Sequence, residues 1–113
     1  MSKFDEKVEL YKKFMDDRKL SVNLELLTAV TKGLGPSIYK TDAETVSGAD
    51  PKELLTVKNN FLIKKLGLAD TAELDQAIDQ VMEQIGRSER KKYRAVVYYL
   101  LAKKFNKEAV YGM

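Results

Sequence analysis

Five cations stand among the eight residues Arg87-Ser88-Glu89-Arg90-Lys91-Lys92-Tyr93-Arg94. If Ser88 caps a helix there, Arg87, Arg90, Lys91 and Arg94 share one helical face. Phosphate oxygens could then bind that face together with the free amides behind the cap. Positive charge at a helix N-terminus opposes the macrodipole, at roughly 0.3 kcal/mol or more per residue. Pairing of Arg87 with the acidic helix before it is the simpler reading. Neither an RNA-reading aromatic motif nor helix-turn-helix spacing accompanies the cluster. Weak, sequence-indifferent nucleic-acid binding through Arg87, Arg90, Lys91 and Arg94 is therefore the second functional expectation.

The opposite charge gathers at Asp75, Asp79 and Glu83, spaced i, i+4 and i+8. Carboxylates about 6 Å apart along a helix bring at most two to one cation. Gln76, Gln80 and Gln84 lie between them, so the stripe reads as a hydrated face, and no metal is expected. A third candidate is Gly33-Leu34-Gly35-Pro36-Ser37-Ile38-Tyr39. Glycine-rich turns can cradle phosphate with backbone amides, but neither Walker nor Rossmann spacing is met and no strand precedes it. Ser37 could be activated only by a lysine, Lys32 or Lys40, and nothing else supports that pairing. Gly35-Pro36 reads more simply as a turn that sets Ile38 and Tyr39 into a groove between helices.

The absences narrow the chemistry further. The 113 residues contain no Cys, no His and no Trp. Disulfide frameworks, thiolate or imidazole zinc sites, haem ligation by His and catalysis by His or Cys are thereby excluded. No catalytic residue and no cofactor is expected, and a non-enzymatic role follows. Twenty basic and seventeen acidic side chains leave a net charge of +3, too small an excess to argue for nucleic acid unless it gathers on one face. Met1 to Glu6 lacks the apolar run of a signal peptide, and no window approaches the ~18 apolar residues of a membrane span. A cytoplasmic protein without membrane contact is the expectation.

Helical periodicity positions these groups. Ser2 with Asp5 opens a first helix near 3–18, with Phe4, Val8, Tyr11 and Phe14/Met15 inward. Asn23 caps a second, near 23–34, which ends at Gly33-Leu34-Gly35-Pro36. Thr41 with Glu44 caps a single turn near 42–46. Asp50-Pro51-Lys52-Glu53 is the clearest start signal, for a helix near 51–66 that Gly67 ends in a left-handed conformation. Asp70 with Glu73 opens a helix near 71–85, and Ser88 opens the last, near 89–105. Six of the ten aromatics are tyrosine. Tyr98 and Tyr99 lie about 100° apart on the last helix, so one ring is expected at the edge of the core. An exposed tyrosine, with Met82 and Met113, would suit self-association.

Two segments repeat: Asn59–Gly67 aligns with Tyr98–Asn106, and Glu25–Val30 with Glu73–Ile78. The expected architecture is a single all-α domain over 1–113, of about five helices and one short helical turn. Residues 23–67 and 71–106 would form two similar hairpins after the N-terminal helix. The strings Thr31–Tyr39, Asp42–Ser47, Val57–Leu62 and Lys92–Leu101 also carry a resemblance. The chain resembles the DUF2853 family, small all-helical bacterial proteins catalogued as a domain of unknown function. The resemblance implies an all-helical domain of a bacterial cytoplasm and brings no activity, cofactor or catalytic residue. The leading expectation is thus an interaction module that binds a protein partner or itself as a homodimer. Its contact surface would be Gly35, Pro36, Ser37, Ile38 and Tyr39 with Tyr98 or Tyr99.

Overall fold

A computed structural model describes residues 2–112, in which six α-helices and two 3-10 turns build an all-α domain. Helix α1 (Lys3–Asp17) starts where Ser2 Oγ accepts the Asp5 N–H at 3.1 Å. It buries Val8, Tyr11, Phe14 and Met15 along one face. Helix α2 (Leu24–Leu34) starts where Asn23 Oδ1 accepts the Leu26 N–H at 3.2 Å. A 3-10 turn, Gly35–Tyr39, leads to α3 (Thr41–Glu44), a single turn. Thr41 lies inside that turn and caps nothing; Lys40 stands at the cap position without a side-chain bond.

Helix α4 (Pro51–Thr56) begins as expected, with Asp50 accepting the Lys52 N–H at 2.9 Å. Glu53 does not close that box but reaches Arg94 at 3.5 Å. From Val57 to Ile63 the helix widens to π geometry, its bonds continuing as Lys64 N–H to the Asn59 carbonyl. The pattern of burial explains the widening. Val57, Phe61, Leu62 and Leu66 are all buried, which places two turns in nine residues, whereas an α-helix takes 3.6 per turn.

Helix α5 (Ala72–Ile85) buries Leu74, Ala77, Ile78, Val81, Met82 and Ile85 at helical spacing. The expected Asp70–Glu73 box is absent, because Asp70 instead holds Lys58 Nζ at 2.9 Å. The last helix, α6 (Arg94–Lys104), starts five residues later than the expected 89, and Ser88 does not cap it. The preceding segment is held extended: Val46 N–H donates to the Lys92 carbonyl at 2.8 Å, and Thr45 and Tyr93 form an isolated bridge.

Every residue from Ala95 to Ala102 is buried. A helix buried all round is a central one, and α1, α2, α3 and α5 all pack against α6. The expected exposed ring therefore does not exist. Tyr98 is 9% exposed and stacks on Phe61 at 4.0 Å, while the Tyr99 hydroxyl accepts the Asn23 N–H at 2.7 Å. Met82 is buried as well, and Met113 lies outside the described residues. Helices α2 and α5 pack chiefly on α6, and the 57–63 stretch packs on α5.

Candidate functional site

The two segments singled out by chemistry, the 35–50 connection and the basic run 87–94, meet in the fold. Beyond the Val46–Lys92 bond, Arg94 Nε donates to the Ala43 carbonyl at 2.8 Å. Lys92 is only 4% exposed, and its Nζ donates to the carbonyls of Glu89 and, at 3.2 Å, of Arg87. Gly48 lies on the Lys92 stem, where a Cβ would come within 3.1 Å of Cε. Between the segments runs an open cleft of about 630 Å³, with Thr45, Ser47, Ser88 and Arg90 in its walls.

Charge in this cleft is largely neutralised from within. Arg87 is held by Asp79 and, at 2.8 Å, by Glu83, and Asp79 first and Glu83 second raise its pKa above the usual arginine value. Glu89 accepts the Lys91 N–H at 3.0 Å and pairs with Arg18. The amide bond first, with Arg18 on its other side, holds the Glu89 carboxyl below its ordinary range. Arg94 is committed to Ala43 and Glu53. Arg87, Arg90, Lys91 and Arg94 share no helical face, since only Arg94 lies in a helix. Arg90 and Lys91 are exposed, and neither side chain has a partner among the described residues.

The proposed partner residues separate in the same way. Gly35 and Pro36 are exposed, Ile38 is buried, and the Ser37 hydroxyl donates to the Leu34 carbonyl at 2.9 Å rather than meeting a lysine. Tyr39 is 48% exposed, the most open of the six tyrosines. It stands in a hollow of about 710 Å³ with Lys3, Phe4 and Lys7 of α1. Beside it is a polar cluster that pattern reading missed. Glu44 accepts the Tyr11 hydroxyl at 2.6 Å and Lys7 Nζ at 2.9 Å, with its side chain 13% exposed. Burial first and the Glu44 bond second push the Tyr11 phenol far above its usual range. No spacing rule joins residues 33 and 37 positions apart; Glu44 carried only a capping signal.

Residues 10–109 match the sequence model of a family described as "Protein of unknown function (DUF2853)". The chain belongs to the DUF2853 family. No curated protein sequence matches it. The cleft between the 41–49 and 86–92 segments of this DUF2853 chain falls wholly within the matched residues. Of the Tyr39 hollow only Tyr39 does; Ser2, Lys3, Phe4 and Lys7 precede the match. Among the described residues of the DUF2853 domain, no group of three carboxylates is placed to hold a metal ion, and no helix is long and apolar enough to cross a membrane.

Proposed function

We propose that this DUF2853 protein is a non-enzymatic interaction module of the bacterial cytoplasm that associates with a second copy of itself. The observation that carries the reading is the Tyr39 ring, 48% exposed at the end of a turn anchored by buried Ile38. Tyrosine presents a large apolar area with one polar end and is enriched where proteins meet. Leu10, 40% exposed, extends the apolar surface, because Lys3, Lys7 and Leu10 follow one face of α1 at i, i+4 and i+7. An apolar patch with a charged rim marks a contact surface, and a twofold pair of copies would place the same patch on both sides.

Light scattering from micromolar to millimolar concentration tests the reading. The mass is expected to rise toward twice 12.9 kDa, and Tyr39→Ala, a surface change, is expected to return it to the monomer. A strict monomer throughout that range, or a dimer unaffected by Tyr39→Ala, overturns it.

A further inference from the structure

A second concentration of positive charge lies away from both surfaces, where the ends of α1 and α6 come together. Lys19, Lys103 and Lys104 line a hollow of about 460 Å³ with Ser21, Gln84 and Leu100, and no carboxylate is in its lining. In the other hollows Lys7 is matched by Glu44 and Arg87 by Asp79 and Glu83, while Arg90 and Lys3 stand without an acidic partner among the described residues. Here Lys103 meets Glu108 at 3.9 Å. Lys19 and Lys104 have no side-chain partner among the described residues.

The backbone gives an independent indication. Lys19 occupies the left-handed position that ends α1, at φ 57°. Around it, Leu20 N–H bonds the Met15 carbonyl and Lys19 N–H the Asp16 carbonyl, both at 3.0 Å. This is the ending at which glycine is the default residue and a larger side chain is strained. Strain held at one position is a pointer to function, and here the strained residue is one of the three lysines that line the hollow. Glu108 offsets Lys103 and the two helix C-termini carry about half a negative charge each, so Lys19 and Lys104 are the two cations left for a ligand. Two unpaired ammonium groups suit an anion of more than one charge better than a single carboxylate.

We propose that this hollow binds a small anion of two or more linked phosphates. Lys19 and Lys104 neutralise the phosphates, and the Ser21 hydroxyl and the Gln84 amide donate hydrogen bonds. The surface is open to water, so binding is modest and weakens as salt rises.

Tripolyphosphate titrated into the full chain, followed by backbone amide NMR shifts, tests the proposal. Shifts are expected at Lys19, Ser21, Gln84 and Lys104. Lys104→Gln and Lys19→Gly are each expected to weaken binding at least about threefold, the size of one partly solvated charge contact. Lys19→Gly also relieves the backbone, so its thermal midpoint should rise while its affinity falls, which separates lost binding from lost folding. Lys91→Gln, outside the hollow, should leave affinity unchanged. Shifts centred on Arg90 and Lys91, or affinity unchanged in both hollow variants, overturn the site. A single-stranded DNA oligonucleotide that binds at these lysines while tripolyphosphate does not overturns the small-anion assignment.

Discussion

The Lys92 ammonium donates to two backbone carbonyls of its own loop and is almost fully buried, so it holds the segment between α5 and α6 in place. Lys92→Met keeps the apolar stem but leaves the Arg87 and Glu89 carbonyls without that donor. A hydrogen bond from a charged donor contributes about 1.5–3 kcal/mol, so the variant is expected to lose on the order of 2 kcal/mol in urea unfolding. A loss below about 0.5 kcal/mol would mean that water replaces the ammonium there. The phenols make a second argument at this scale. Burial, with Tyr98 nearby, pushes Tyr111 up to about 12, and Tyr11 is displaced further in the same direction. In the unfolded chain both phenols titrate near 10. The unfolded state therefore releases protons that the folded state retains, and stability is full below pH 10 and falls as pH rises toward 12. Lysines held by carboxylates, such as Lys58 beside Asp70 and Asp75, add to the slope. Urea midpoints at pH 9, 10 and 11 should fall in series, less steeply in Tyr111→Phe. Equal slopes in the two proteins would remove Tyr111 from this account.

At the scale of elements, the endings of helices decide where the chain can turn. Gly67 ends the widened helix at φ 72°, with Leu68 N–H bonded to the Leu62 carbonyl at 3.1 Å. Nothing lies within 4 Å of where a Cβ would stand, so Gly67→Ala tests conformation alone. The left-handed penalty predicts a loss of about 1–2 kcal/mol. Asn106, 39 positions later in the aligned repeat, holds the same conformation at φ 53°. Asparagine tolerates it better than other side chains, so Asn106→Gly should gain less than about 1 kcal/mol. A neutral Gly67→Ala in thermal unfolding would contradict the helix ending. These endings, with the apolar periodicity of α1, α2 and α5, were legible in the sequence because they depend on neighbours within a few residues. The late start of α6 was not legible, because Val46, some 46 positions away, takes the Lys92 carbonyl. The burial of both Tyr98 and Tyr99 escaped for a related reason. A stripe pattern predicts one wet side, whereas four other helices cover α6. Of the candidate site, the Tyr39 turn could be read locally, but the Lys7–Glu44–Tyr11 cluster and the lysine hollow arise only when α1 meets α3 and α6.

At the scale of the whole molecule, the question is where the opposite charges of α5 and the 87–94 run act. Such charges can meet within the fold or between two copies. Arg87 pairs with Asp79 and Glu83 inside one chain, and Lys58 bridges Asp70 and Asp75. The carboxylates of these pairs are well exposed, so water and salt screen the contacts and each contributes little to stability. They are already satisfied in the monomer, so a second copy would gain little by replacing them. The association proposed through Tyr39 and Leu10 rests instead on apolar area, which salt does not screen. Its dissociation constant is expected to change less than about twofold between 50 mM and 1 M salt, whereas association through opposed charges would weaken by tenfold or more as the Debye length falls to about 3 Å. Sedimentation at the two salt concentrations separates the alternatives. A tenfold weakening would move the interface from the Tyr39 hollow to the faces that carry the acidic stripe and the basic run. Salt-independent association that Tyr39→Ala abolishes would hold it where the exposed ring stands.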